Sequence, residues 1–246
     1  MTLYFVGLGL GNEKDITVKG LEAVKKADVV YLEVYTSKLV KCDKAKLEKF
    51  YGKRIIAADR DLVENKASET ILKDAADKDV AFLVVGDVFS ATTHVDLRKR
   101  AGELKIKTKV IHNTSILTAV GIVGLDMYKY GRVTTIPFDN KNVKSPYEVI
   151  KKNLKNDLHT LVLLDLDPLH DKYMNVKLAL EYLLKCGMPA EQLCVCCCGV
   201  GSEDILIKFG EAKELIKKEF NKYPQCLIVP SKMHFMEEEA LGKFKI

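Results

Sequence analysis

The chain has 246 residues, 48% of them hydrophobic, with a formal net charge of +5. That length holds one large domain or two of ordinary size, with apolar residues enough for a substantial core. The charge is too mild to point to nucleic acid, and no segment approaches the roughly 20 apolar residues of a membrane span. Met1–Val6 leads straight into a strand-like stretch rather than a secretory leader, so a cytoplasmic protein is expected.

Apolar runs at Leu3–Leu8, Val29–Leu32, Ile55–Ala58, Val80–Val85 and Lys109–Ile111 read as strands of a mostly parallel sheet. Helical patterns lie between them at Val18–Lys26, Lys44–Tyr51, Leu62–Ala76 and His94–Glu103, with Asp15 or Thr17 capping the first. The basic run Lys38–Arg54 reads as a solvated helix face. After Ser115 comes an apolar segment, Ile116–Leu125, punctuated by Gly121 and Gly124. A second series follows, with strands at Arg132–Ile136, His159–Leu164, Leu193–Cys198 and Cys226–Val229. Its helices are placed at Ser145–Lys155, Asn175–Lys185, Gly210–Lys218 and Lys232–Leu241. Strands and helices alternating twice over predict two α/β domains, residues 1–115 and 116–246. Each has a mostly parallel or mixed sheet flanked by helices.

Seven cysteines include three in a row at Cys196–Cys198. Neighbours on a strand point to opposite faces, so these three cannot converge on one metal, and no paired C-x-x-C is present. They read as small buried hydrophobes of a reduced protein, with no metal site.

Polar groups crowd at the strand exits, where ligands bind in open α/β sheets. Gly7-Leu8-Gly9-Leu10-Gly11 follows the first strand. With Glu33 at the end of the second, it imitates a dinucleotide-binding fingerprint. Asn12 occupies the third glycine slot, however, and the helix begins only near Thr17, too late to present its N-terminus to a phosphate. Gly86-Asp87-Val88-Phe89-Ser90, then Thr92-Thr93-His94, closes the fourth strand. Asp87 there is either a ligand group or a helix cap. His112–Ser115 leaves the fifth strand, and Ser115 offers a hydroxyl and an N–H to a ligand or to the next helix. Asp165-Leu166-Asp167, which resembles a Mg²⁺-binding pair, lacks a neighbouring phosphate-gripping Arg or Lys and reads as a turn. Pro230–His234 closes the final strand.

Taken together these strings resemble the diphthine synthase family, tetrapyrrole methylase-like methyltransferases that use S-adenosylmethionine. The resemblance runs from Leu3 to Leu241. It is carried by YFVGLGLGNEKDITVKGLE (Tyr4–Glu22), ADVVYLEVYTS (Ala27–Ser37), FLVVGDVFSATTHVDL (Phe82–Leu97), VIHNTSILTAVGIVGLDMYKYG (Val110–Gly131), HTLVLLDLD (His159–Asp167) and LIVPSKMHFMEEEAL (Leu227–Leu241). The resemblance implies a two-domain fold with the active-site cleft between domains, and a homodimer. The family's cofactor contacts fall on Leu10, Asp87, Ser90, Ser115, Ile116, Leu166, Phe209 and His234. The implied protein substrate is translation elongation factor 2, at a histidine already bearing a 3-amino-3-carboxypropyl group. Its amino group is trimethylated, and eukaryotic members also esterify the carboxylate; the wording of Phe82–Leu97 leans toward four transfers. Methyl transfer from a sulfonium is a displacement that needs alignment more than a metal. His94 is a candidate for the base that deprotonates the amine.

The chain departs from the family at several points. Val88 stands where Gly-Asp-Pro is common, Ser90 where Gly or Val is usual, and Cys198-Gly199 in place of Ala-Arg. Lys177 replaces an Asn, and the segment around residues 167–192 is shorter than in eukaryotic relatives. The competing expectations are a methylase of small tetrapyrroles, an NAD-type oxidoreductase and a non-enzymatic binding module.

Overall fold

The computed structural model describes residues 1–246 except the side chain of Leu169. The chain divides into two compact units, Met1–Ile116 with Asp167–Asp171, and Leu117–Leu166 with Lys172–Ile246.

The first unit runs β1 (Thr2–Gly7), α1 (Val18–Lys26), β2 (Val29–Glu33), α2 (Lys44–Tyr51), β3 (Ile56–Ala58), α3 (Ile71–Asp77), β4 (Val80–Val84), α4 (Val95–Glu103) and β5 (Lys107–Ile111). Its five strands are all parallel, in the order β3-β2-β4-β1-β5. Such a sheet is covered on both faces, which is why its strands read as continuous apolar runs. Alternate residues serve the two faces. Leu3, Phe5, Phe82 and Val84 pack with Ile71, Leu72 and Leu97, whereas Tyr4, Val6, Ala81 and Leu83 pack with Val24 and Leu47. Each fully buried Leu or Phe contributes about 1.5–3 kcal/mol.

Local signals set the helix ends. Thr17 accepts the Gly20 amide at 3.1 Å to start α1, and Asp43 accepts the Lys46 amide at 2.9 Å to start α2. Gly52, at φ 67°, stops α2 in the left-handed conformation that glycine adopts freely. The helix expected over Leu62–Ala76 is broken. A π turn at Asp61–Asn65 and a 3₁₀ turn at Ala67–Glu69 precede α3, and Thr70, at φ −127° and ψ −94°, interrupts the helical path.

The second series begins with α5 (Ile116–Ala119) and a 3₁₀ turn at Val120–Val123. It continues as β6 (Thr134–Ile136), α6 (Ser145–Lys155), β7 (Thr160–Leu164), the two-residue strands β8 (Leu166–Asp167) and β9 (Lys172–Tyr173), α7 (Val176–Lys185), β10 (Leu193–Cys198), β11 (Leu206–Glu211), α8 (Ala212–Leu215), β12 (Gln225–Val229) and α9 (Phe235–Gly242). Its main sheet is mixed, ordered β11-β10-β12-β7-β6, with only the β6–β7 pair parallel.

One expectation fails here. Leu206–Glu211 is an edge strand paired with β10, so the helix placed at Gly210–Lys218 shrinks to α8 at Ala212–Leu215. The cysteine run lies on β10 as its alternation requires. Cys194, Cys196 and Cys198 join the core with Leu180, Leu183 and Leu227, while Cys197 sits opposite Cys226 on β12. All seven cysteines are free thiols, and burial pushes Cys194 and Cys198 up to about 12.

Candidate functional site

The carboxyl ends of β1, β4 and β5 are neighbours in the first sheet, and their exit turns are tied together. Gly9 and Gly86 exchange backbone hydrogen bonds, Gly9 N–H to Gly86 O at 3.2 Å and Gly86 N–H to Gly9 O at 2.7 Å. A Cβ on Gly7 would stand 2.7 Å from Gly86 O and 2.9 Å from Asn113 Cβ, so no side chain fits there. Asn113 Nδ2 donates to Gly7 O and Asp15 O, both at 3.0 Å, joining the β5 exit to the β1 turn. Asp15 in turn accepts the Gly11 amide at 2.7 Å.

Asp87 stands at the middle of this junction, 9% exposed. Its Oδ1 accepts the Phe89 amide at 3.1 Å and the Ser90 hydroxyl at 3.4 Å. Its Oδ2 accepts from His112 Nδ1 at 2.8 Å and from the Asn113 amide at 3.1 Å. Burial alone would favour the neutral acid. The Phe89 amide, the His112 ring and the Asn113 amide outweigh it and hold the carboxyl below its ordinary range. Asp87 thus fixes the β4 exit against the β5 exit and stays charged at neutral pH. It opens a turn rather than capping α4, whose N-cap position belongs to His94.

Four expected contact residues border this junction. Gly86, at φ 80°, could carry no Cβ without strain; one built there would lie 3.7 Å from Leu10 Cδ2 and 3.8 Å from Ser115 Cα. The bare glycine therefore leaves a clear spot flanked by Leu10 and Ser115. Ser90 is half-buried beside Asp87, and Ile116 begins α5 one residue after the buried Ser115. In the second unit, Leu166 is half-buried on β8. Phe209 lies within β11, 8% exposed, its N–H donating to Phe244 O and its C=O accepting from Ile246. His234 is exposed at the N-terminus of α9, its ring 4.3 Å from that of Phe235.

His94 does not fit the role of base. Its side chain is fully buried, edge-on to the rings of Phe82 at 5.1 Å and Tyr35 at 6.2 Å. Neither ring nitrogen has a hydrogen-bond partner, although Nε2 lies 3.5 Å from Glu33 Oε2. A ring so enclosed cannot reach a substrate amine without the surrounding core opening. Glu33 is equally enclosed, accepting the amides of Tyr35 and Thr36 and the Thr36 hydroxyl. It shapes the turn after β2 and has no free oxygen to offer a ribose, which removes the acid that an NAD-type reading requires. Asn12 likewise caps a short turn through the Lys14 amide at 2.9 Å. In the Asp165–Asp167 pair, Asp165 accepts the Phe138 and Leu166 amides, and Asp167 faces His170 Nδ1 at 2.6 Å. Both carboxylates serve turns, and no His/Cys/Asp/Glu group with metal-binding geometry occurs among the described residues.

The structure also shows a cluster that local sequence reading does not reach. His159, Glu237 and Lys129 meet in the second unit although they lie 78 and 108 residues apart in pairs. His159 Nε2 is 2.9 Å from Glu237 Oε1, and Lys129 Nζ is 2.6 Å from Oε2.

A parallel sheet whose first and fourth strands exit through paired glycines, with an anionic Asp87 between them, is an α/β unit with a ligand-binding strand-end junction. Residues 2–216 match the family described as Tetrapyrrole (Corrin/Porphyrin) Methylases. The chain is 44% identical to "Diphthine synthase" of Methanocella arvoryzae, over 97% of this chain and 96% of that protein. It is 42% identical to the human "Diphthine methyl ester synthase", over 99% and 95% respectively. A solved structure described as "Crystal structure of diphthine synthase" superposes with a TM-score of 0.93 at 39% identity, covering 100% of this chain and 96% of the other. The chain belongs to the tetrapyrrole methylase family, in its diphthine synthase branch, and is an S-adenosylmethionine-dependent methyltransferase. No helix among the described residues is long and apolar enough to cross a membrane.

Proposed function

We propose that this chain methylates the amino group of 2-(3-amino-3-carboxypropyl)histidine in translation elongation factor 2 to the trimethylammonium. A fourth transfer to the carboxylate then gives diphthine methyl ester. The observation that carries this reading is similarity along nearly the whole chain to archaeal and eukaryotic proteins bearing these names, combined with the Asp87-centred junction. A small tetrapyrrole is the alternative that the family description admits.

When bound, S-adenosylmethionine would supply an electrophilic methyl on sulfur, to be displaced onto the amine nitrogen, which gives up one proton per transfer, or onto the carboxylate oxygen. The residues present fit that cofactor, because Gly86 keeps open, between Leu10 and Ser115, a spot that a Cβ would fill. Leu10, Asp87, Ser90, Ser115 and Ile116 are assigned to it in the first unit, and Leu166, Phe209 and His234 in the second. Asp87 keeps its charge and sets the path of the 87–90 turn, so Ser90 is presented on a backbone that does not reorganise during transfer. No side chain is assigned as the base.

The reading extends to a homodimer. Ile122, Tyr128, Phe235 and Met236 are exposed apolar side chains on segments of the second unit joined by a hydrogen bond from the Asp126 N–H to Glu237 Oε1, at 2.9 Å. Seven free cysteines agree with a cytoplasmic setting.

The test is incubation with labelled S-adenosylmethionine and precursor-bearing elongation factor 2. Label on the factor is expected, with a mass gain of about 56 Da for four methyls, or about 42 Da for three, at about 14 Da per CH₂. Absence of label on the factor, with label on a tetrapyrrole acceptor, would replace this reading by the alternative.

A further inference from the structure

The turn between β12 and α9 is held by its backbone at three of four consecutive residues, by the buried side chains of His159 and Glu237 and the half-buried Lys129. The Ser231 N–H donates to His159 Nδ1 at 3.0 Å. The Lys232 carbonyl accepts from Lys129 Nζ at 2.8 Å. The His234 N–H donates to Glu237 Oε2 at 2.8 Å. The three gripping groups also bind one another through the two contacts to the Glu237 carboxylate, which accepts the Asp126 amide as well, at 2.9 Å.

The protonation states follow from the partners. His159 Nδ1 faces an N–H and must be bare, so Nε2 carries the proton toward Glu237. The ring is fully buried, and burial keeps it neutral by lowering its proton affinity. Glu237 is only 4% exposed; burial opposes its charge, but Lys129, the His234 and Asp126 amides and His159 together hold it at about 2. The contacts that reach Ser231, Lys232 and His234 all end on backbone atoms. The His234 ring is left exposed, outside the network.

We infer that His159, Glu237 and Lys129 are positioning residues that fix the Ser231–His234 turn, so that the His234 side chain meets the cofactor at a set place. This rests on the assignment of His234 to S-adenosylmethionine. A preorganised contact requires its supporting groups to be locked, and charge-assisted bonds to backbone do that more firmly than neutral ones.

Lys129 gives the cleanest perturbation because its head group is at the rim, with 28% of its side chain exposed. Calorimetric titration of S-adenosylmethionine is compared for the full chain and for K129M, K129R, H234A and the K129M/H234A double variant, alongside each melting temperature. K129M should weaken binding about tenfold at a nearly unchanged melting temperature, and K129R should recover most of it, because the guanidinium can still reach both acceptors. In the H234A background K129M should add little, because the two act through one contact. Should K129M melt much earlier, K129Q, which keeps a neutral NH₂ donor, carries the same comparison. Wild-type affinity in K129M with weakened H234A overturns the positioning role and leaves the His234 assignment standing. An equal loss from K129M with and without His234 also overturns it. Wild-type affinity in H234A overturns the His234 assignment, and the positioning role with it.

Discussion

Asp87→Asn tests whether the strand-end junction depends on charge. The wild-type carboxylate takes two contacts at each oxygen, from Phe89 and Ser90 on one side and from His112 and Asn113 on the other. An asparagine keeps one oxygen. Its amide nitrogen then faces the Asn113 N–H donor to donor, or, if flipped, the Phe89 N–H. One bond from an amide to a charged acceptor is lost, at about 1.5–3 kcal/mol, and a shielded N–H is left without a partner. The expected loss is about 2–4 kcal/mol at pH 7, read as a lower midpoint in urea unfolding followed by circular dichroism. The pH dependence gives the sign. Asp87 has a folded pKa below its unfolded value of about 3.9, so its contribution is fully present above that value and disappears as pH falls through the folded pKa. The difference between wild type and D87N should therefore be largest at neutral pH and narrow below about pH 4, as the wild-type acid becomes neutral too. A difference equally large in acid, or one under about 0.5 kcal/mol at pH 7, would refute the argument that the charge organises the junction.

Gly86→Ala should cost about 1–3 kcal/mol from its φ of 80°, without a clash, since the new Cβ stays 3.7 Å from Leu10. The same methyl occupies the spot assigned to the cofactor, so calorimetry should show markedly weaker S-adenosylmethionine binding; unchanged affinity would move the cofactor elsewhere. His94→Ala should destabilise the first unit by about 2–5 kcal/mol through the cavity it leaves. Its methylation rate at a temperature where it stays folded should fall far less than the about 10²–10⁴-fold expected of a base, and a loss of that size would restore His94 to the chemistry. Asn113→Ala removes two bonds to Gly7 and Asp15 carbonyls, and hydrogen exchange should quicken at the β1 and β5 exits before it does in the strand centres.

The first unit was largely legible because its parallel strands are buried on both faces, so apolar runs such as Val80–Val84 mark them directly. Glycine turns and polar residues at the ends of those runs marked the junction as well. The edge strand Leu206–Glu211 was not legible: Lys208 and Gly210 interrupt its apolar pattern, and only Ile207, Phe209 and Gly210 are buried. Glu33 was misleading for a different reason. Its spacing from the glycine turn matches a ribose-binding acid, and nothing local reveals that the Tyr35 and Thr36 amides have taken one of its oxygens and the Thr36 hydroxyl the other. The His159–Glu237–Lys129 cluster lay beyond local reading altogether, because long-range contacts assemble it and no spacing rule connects such positions.

The glycine junction bears on how this chain can change by descent. Gly7 excludes a side chain because Gly86 O and the Asn113 side chain already fill that space, and Asn113 is held there by Gly7's own carbonyl. A side chain at Gly7 would therefore have to displace the Gly86 carbonyl and the Asn113 side chain together. Replacing Gly7 alone is closed off, and a Gly7→Ala substitution should be rescued in part by shortening Asn113, a non-additivity that a double-variant cycle would register.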